Sequence, residues 1–182
     1  MAHPNTERLT EYWRAQRGDA AMPRRADIDP MAFHTLLPQT FIIGRTLQGQ
    51  FPFRLVGGVI ADLHQSDLRG RCLLDLWRPS DRWQLKSALE FARRRPEPVI
   101  VNADILVDGG VPPLSVEILF APLTGPSGEA DRFIGLYQPS GPLSRLLGRP
   151  AQALAIAAIA RPEDGETAPS LRLAAYNGRL MA

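Results

Sequence analysis

The sequence predicts an α+β fold built on an antiparallel sheet, and three observations carry that prediction. Residues 99–137 contain three stretches in which apolar residues alternate with others, joined by short turns. Residues 40–55 contain two more such stretches. Between the two sets, residues 57–95 change to the three-and-four spacing of amphipathic helices. Strands gathered at both ends of a helical middle belong to an α+β domain, not to a parallel sheet in which strand and helix alternate.

Each element has its own signals. Asn5 or Thr6 is placed to cap a first helix, with Glu7 in the first turn, where negative charge suits the helix dipole. Leu9, Tyr12, Trp13 and Gln16 fall at i, i+3, i+4 and i+7, and Gly18 closes the helix. Asp29-Pro30 has the form of an N-cap followed by proline at the first helical position. Phe33, Leu36 and Leu37 line one side of that short helix, and Pro38 is expected to end it. Thr40-Phe41-Ile42-Ile43 reads as a strand. Phe51, Phe53 and Leu55 alternate with Pro52 and Arg54 as its hairpin partner, Arg54 taking the less apolar side. Gly57-Gly58 breaks that strand before a short helix, Val59 to Leu63. Another short apolar piece, Leu73 to Trp77, precedes a longer helix that Ser80 is placed to cap. In that helix Leu85, Ala88, Leu89 and Ala92 share a face, and Arg93-Arg94-Arg95 stand at the end the dipole favours for positive charge. Val99, Val101, Ala103, Ile105 and Val107 then alternate cleanly. Asp108-Gly109-Gly110 turns the chain into Leu114, Val116, Ile118 and Phe120, and a second turn leads to Phe133 through Tyr137. Three strands joined this way form an antiparallel meander.

At 182 residues, with 45% hydrophobic and 22% charged content, the chain can bury a core without disulfide staples. Its one cysteine, Cys72, allows no intramolecular disulfide and no multi-cysteine zinc site. No run reaches the roughly 20 apolar residues that span a bilayer, and the first residues lack the pattern of a signal peptide, so a cytoplasmic location with no membrane contact is expected. The isoelectric point near 9.1 overstates the charge, which is only +2. Lys86 is the only lysine, and the remaining basic residues are arginines that do not titrate near neutrality. That net charge gives little ground for a nucleic-acid partner, which calls for basic residues concentrated on one face.

Several short motifs appear in a recognisable order. Tyr12-Trp13 with Arg17-Gly18 is followed by Pro23, Arg25 and Asp27-Ile28-Asp29-Pro30, then Leu36-Leu37-Pro38. Arg54-Leu55-Val56-Gly57 comes next, then Asp67-Leu68 with Gly70, Glu117 with Ala121-Pro122-Leu123, and Arg132 with Gly135. Over roughly residues 9 to 138 this resembles a bacterial family of short, single-domain PAS-like proteins. One departure is Gln65, where the family pattern has a glycine. The resemblance implies a five-stranded antiparallel sheet with short helices on one face. It divides the chain into an N-terminal helix (1–22), a PAS-like domain (23–138) and a C-terminal extension (139–182). In that extension Leu154 to Ala160 and Leu171 to Tyr176 are expected to pair as a hairpin or to be partly disordered. It also implies a sensory or regulatory role, a small-molecule pocket between sheet and helices, and pairing of subunits through sheet faces and N-terminal helices. It names no cofactor.

The candidate site residues follow from those positions. His64 lies in the segment that borders a PAS pocket and is a candidate ligand contact, against the plainer reading of an exposed residue at a helix end. Trp77 and Trp83 flank the start of the long helix and are read as core filling or as pocket wall. Arg54 and Glu117 both sit on the polar side of alternating strands. In PAS strand order they lie three strands apart, roughly 14 Å at the usual spacing, so each is expected to meet a different partner. Arg54 is a candidate ligand contact; Glu117 is a candidate for docking a helix or a second subunit. Leu9, Tyr12 and Trp13 belong to a helix too short to be stable alone, which must dock on its own sheet or on a partner's. That helix is the sequence argument for a homodimer. Cys72 lacks the light-sensing cysteine box and is read as a buried thiol. Arg93-Arg94-Arg95 and Arg24-Arg25 are read as charge clusters before phosphate contacts.

The leading expectation is therefore a non-enzymatic sensor or adaptor, homodimeric, signalling through an unidentified protein partner when a small molecule occupies its pocket. An enzyme using Glu117 or Asp104 as an acid ranks second, without a catalytic motif to support it. An arginine-based reader of nucleic-acid backbone ranks third.

Overall fold

The computed structural model describes residues 2–160. Helix α1 (Pro4–Arg17) opens the chain. A 3-10 segment, Pro30–Gln39, leads into strands β1 (Thr40–Gly44) and β2 (Phe53–Val56). Helix α2 (Gly58–His64), a 3-10 turn at Leu73–Leu76 and helix α3 (Arg82–Arg94) form the helical middle. Strands β3 (Val99–Leu106), β4 (Leu114–Leu123) and β5 (Arg132–Pro139) form the meander, and β6 (Ala153–Ala160) follows. The sheet is antiparallel in the order β2-β1-β5-β4-β3-β6. The α+β architecture is as the sequence predicts, with a sixth strand added to the expected five. Among the described residues no helix is long and apolar enough to cross a membrane.

The sixth strand is the first half of the expected hairpin, but it pairs with β3, from Leu106↔Ala153 to Ile100↔Ala160. Main-chain bonds fix its start, with the Ala151 N–H donating to the Leu63 carbonyl and the Gln152 N–H to that of Leu106. Further along, the Arg78 N–H donates to the Leu154 carbonyl at 3.0 Å, and Asp81 accepts the Ile156 N–H at 2.9 Å. Burial pushes the Asp81 carboxyl up, but the Ile156 N–H, Ser80 and Arg78 outweigh it and hold the acid below its usual range. Asp81, not Ser80, is the residue at the head of α3, and its side chain serves β6 instead of capping the helix. The second half of the expected hairpin, Leu171 to Tyr176, lies outside the described residues.

The sheet is covered on both faces, whereas the resemblance implies short helices on one. On the inner face Phe41, Ile43, Phe53, Val101, Val116, Ile118, Phe120, Phe133 and Tyr137 pack against α2 and α3 through Ile60, Leu63, Leu85 and Leu89. On the outer face Ile42, Ile100, Leu119, Ala121, Ile134 and Leu136 pack against Leu9 and Trp13 of α1 and against Phe33 and Leu36. Both-sided burial explains why β1 is buried at every residue and β4 from Ile118 onward. Helix α1 therefore docks on its own sheet. The Trp13 indole N–H donates to the Pro122 carbonyl at 2.7 Å, and the His3 N–H donates to Glu117 Oε1 at 3.0 Å. Its buried stripe is Thr6, Leu9, Thr10 and Trp13, with Tyr12 turned aside to bond Asp29. The hydropathy pattern passes over the two threonines, although the Thr10 hydroxyl is satisfied by the Thr6 carbonyl at 2.8 Å. His3, not Asn5 or Thr6, caps the helix, its Nδ1 accepting the Asn5 N–H.

Three other expectations are corrected. Pro38 lies inside the 3-10 segment, which ends at Gln39. Leu55 does not share the inner face with Phe53, because the β1–β2 register shifts between Ile42 and Ile43. The extra residue of that bulge reverses the pleat and leaves Leu55 39% exposed. Trp83 is 78% exposed and fills no core, since Leu85, Leu89 and Ala92 occupy the buried face of α3.

Phe41 shows how closely the inner face is filled. Its ring stands edge-on to Phe53, Phe120 and Tyr137, at 5.8, 5.5 and 5.7 Å between centroids. It also lies directly over Gly135, its cross-strand neighbour, where any Cβ would overlap the ring. Gly135→Ala is expected to cost about 1–3 kcal/mol by overpacking, read as a lower urea midpoint; an unchanged midpoint would mean the ring is free to move aside.

Candidate functional site

His64 is the last residue of α2, and Gln65 follows it in the left-handed conformation, φ 45° and ψ 39°. This is the position where the sequence resemblance leads glycine to be expected. Such a conformation costs a residue with a side chain roughly 1–2 kcal/mol, offset by the Gln65 amide donating to the Gly148 carbonyl at 2.8 Å. The turn folds His64 inward instead of leaving it at an exposed helix end, so that it is only 7% exposed. Its ring stands edge-on to Tyr137, 6.2 Å between centroids.

Two effects act on the imidazole in opposite directions. A position at a helix C-terminus favours positive charge by about 0.3–1 kcal/mol. Burial, with Arg71 adding to it, disfavours that charge and lowers the pKa to about 4. Burial wins, and His64 is neutral at pH 7. Tyr137, 1% exposed, is pushed up by burial and stays protonated. Both groups end in an unpartnered atom: His64 Nε2 and Tyr137 Oη are buried without a hydrogen bond, as is the Trp77 indole Nε1. An unpaired buried polar atom costs about 1–3 kcal/mol, and three on the inner side of one sheet are a feature to be explained.

A pocket of about 320 Å³ opens beside His64. His64, Gln65 and Ser66 form one wall, Arg71, Asp75 and Leu76 another, and Pro150, Ala151 and Gln152 a third. Residues just before β6 therefore complete a pocket whose other walls belong to the helical middle. Tyr137 is the residue that sequence reasoning missed. It lies two positions from Gly135 and four from Phe133, on the inward side of β5, and its hydroxyl is the legible sign of a polar atom in that face.

The other candidates are dispersed. Trp77 is core, 1% exposed, and its main chain bridges to Leu154. Trp83 is on the far side of α3. Glu117 meets the start of α1, and Asp104 accepts from the Ser115 hydroxyl at 2.9 Å. Both acids alternate with inward residues and so face away from His64. Cys72 is free and half-buried, not buried. Among the described residues no three His, Cys, Asp or Glu side chains gather as metal ligands would. One arginine of each run is paired, Arg24 with Asp27 at 2.8 Å and Arg93 with Glu90 at 3.1 Å. Arg54 is three strands from Glu117, beside Arg25 and Arg132 at a different pocket.

A family model described as "PAS domain" matches residues 1–138 of this chain. No curated protein matches it. Among solved structures, the chain is similar to a LOV protein of Rhodobacter sphaeroides at 14% identity and a TM-score of 0.45, over 63% of this chain and 69% of that one. It is similar to the dark structure of the blue-light photoreceptor Aureochrome1 LOV at 14% identity and a TM-score of 0.46, over 64% and 86%. An RNA-binding light-oxygen-voltage receptor matches at 12% identity and a TM-score of 0.47, with 68% of this chain covering 35% of that one.

Proposed function

Since the chain belongs to the PAS domain family, we propose that it is a non-enzymatic sensory module whose input is a small molecule bound beside His64 and whose output passes through protein contacts. The supporting observation is the unpartnered buried His64 Nε2 on a residue that lines a pocket with polar walls, with the equally unpartnered Tyr137 Oη on the ring that stands edge-on to it. A ligand that bonds His64 Nε2 removes a cost the empty protein bears, so occupancy and stability are coupled. The neutral ring presents one donor and one acceptor, which selects a ligand with a hydroxyl, amide or similar neutral group at that end. Ala151 and Gln152 precede β6, so a molecule filling the pocket presses on the edge of the sheet as well as on α2. That is a route by which occupancy reaches a partner protein. The module is further proposed to act as a homodimer; with α1 docked on its own sheet, the exposed Trp83 and Phe91 on α3 supply the aromatic surface that interfaces favour.

Native mass spectrometry of the freshly purified protein tests both parts. The expected result is a dimer carrying one small molecule per chain, with the adduct lost in His64→Gln and weakened in Tyr137→Phe. A ligand-free wild-type protein would remove the pocket from the account and leave an adaptor acting through its surface. Turnover of a metabolite by the purified protein would overturn the non-enzymatic reading.

A further inference from the structure

We infer that the outer face of the sheet, at the β1–β2 hairpin, carries a second site: an arginine pocket for a phosphorylated small molecule. The pocket, about 410 Å³, is lined by Arg25, Ile42, Arg54, Leu55 and Arg132. It lies on the opposite face from His64, since Ile42 belongs to the outer cluster. Three guanidinium groups thus border one space with little to neutralise them. Among the described residues the side chains of Arg25 and Arg54 have no hydrogen-bond or ion-pair partner. Arg132 has only Asp131, at 3.9 Å, the limit of an ion pair.

The like charges are also crowded. Arg132 Nη1 and Arg54 Nε lie 2.5 Å and 2.9 Å from the place a Cβ on Gly44 would occupy. Glycine at 44 is what lets both guanidinium groups close over the strand; a side chain there would drive them apart. Two cations held over one point without an intervening acid are at odds with stability, and an anion between them resolves the conflict. A guanidinium presents paired N–H donors that match phosphate oxygens two at a time. Three cations against one marginal carboxylate match a dianion better than a monocarboxylate. The rest of the lining is apolar, and the β1–β2 bulge is what turns Leu55 toward this side. That gives the organic part of a phosphate ester a surface to lie on. The volume falls within the roughly 300–1,000 Å³ of small-molecule sites. A polymer backbone needs a stripe of free cations, and Arg24 and Arg93, which would extend one by charge count, are paired.

The test uses the full chain at low ionic strength, with inorganic pyrophosphate, phenyl phosphate and benzoate as probes. Pyrophosphate and phenyl phosphate are expected to bind by calorimetry and raise the melting temperature, and benzoate to bind at least tenfold more weakly. Arg54→Gln is expected to keep the circular dichroism spectrum, lose at least tenfold in phenyl phosphate affinity, and melt no lower than wild type without ligand. Arg25→Gln repeats the affinity measurement should Arg54→Gln fold poorly. Absence of phosphate binding to wild type, or variants that bind phenyl phosphate as tightly as wild type does, would overturn the site. So would a single-stranded oligonucleotide that binds more tightly than phenyl phosphate with a steep salt dependence, which would assign the patch to nucleic acid.

Discussion

Trp13→Ala is expected to lower the unfolding free energy by about 3–5 kcal/mol, the range for truncating a buried tryptophan. The indole is fully buried between α1 and the outer face, and its N–H is bonded to the Pro122 carbonyl. Truncation leaves a cavity and an unpaired carbonyl at once. A domain with roughly 5–15 kcal/mol in total would lose about a fifth or more of its stability. The loss has a second stage, because 14 residues of helix cannot persist undocked. Undocking α1 would bare Ile42, Leu119, Ala121, Ile134 and Leu136 together, an apolar patch that drives association. Trp13→Ala should therefore show both a lower denaturation midpoint and a concentration-dependent gain in mass. Trp13→Phe keeps most of the packing and should lose nearer 1 kcal/mol for the hydrogen bond. Trp83→Ala, at a side chain 78% exposed, should stay within about 0.5 kcal/mol of wild type. Equal midpoints for Trp13→Ala and Trp83→Ala would show that α1 is not held as described.

The contrast between those tryptophans marks what the sequence made legible. Alternation at Val99, Val101, Ala103 and Ile105 revealed β3 and its inward face, because a strand's period of two is set by local geometry. The Asp29-Pro30 cap was legible for the same reason: Asp29 Oδ1 accepts the Met31 N–H two residues on. Leu55 and Trp83 were misplaced because their surroundings are set at a distance, by the β1–β2 bulge and by which face of α3 meets the sheet. The stripe of α1 takes in Thr6 and Thr10 where the pattern has Tyr12 and Gln16, because the threonines count as polar in a hydropathy pattern while being small enough to lie against a sheet.

The candidate site was less legible than the fold, for a related reason. His64 was singled out by position, but its burial depends on Gln65 turning left-handed and on residues 150–152 closing the far wall. No periodicity encodes either. Tyr137 reads as one more apolar residue of β5 until the His64 ring is placed beside it. Arg54 and Arg132 lie far apart in the chain and meet because β1 is flanked by β2 and β5, and Arg25 is brought in by its main-chain bond to Thr124. In each case the elements came from local pattern and the constellation from topology.

Lowering the pH from 6.5 to 4 is expected to remove on the order of 3 kcal/mol of stability through His64 alone. The folded-state pKa is about 4 against 6.5 for the free side chain, so between those values the unfolded chain binds a proton that the folded chain does not. Stability then rises with pH through that window, by about 1.4 kcal/mol per unit. The contribution is complete above pH 6.5 and is lost as the pH falls toward 4. Asp81 and Glu90 also bring acid sensitivity. Burial pushes each carboxyl up but is outweighed, for Asp81 by the Ile156 N–H with Ser80 and Arg78, and for Glu90 by Arg45 and Arg93. Their folded pKa values are lowered, so their contribution is present above the ordinary carboxylate range and is lost as the pH falls through it and below. The His64 effect therefore begins at the higher pH. Denaturant midpoints measured from pH 4 to 7 should fall steeply for wild type and stay nearly flat for His64→Gln, the difference widening as the pH drops. Arg71 and Asp75, which share the pocket with His64, oppose one another there; Arg71→Gln should raise the His64 pKa and shorten the window from its acid end. A ligand that accepts from or donates to the neutral ring would stabilise that form further and carry the transition to still lower pH. Wild-type and His64→Gln curves that run parallel from pH 6.5 to 4 would mean that the imidazole reaches water, and with it that Nε2 has no unmet bond for a ligand to satisfy.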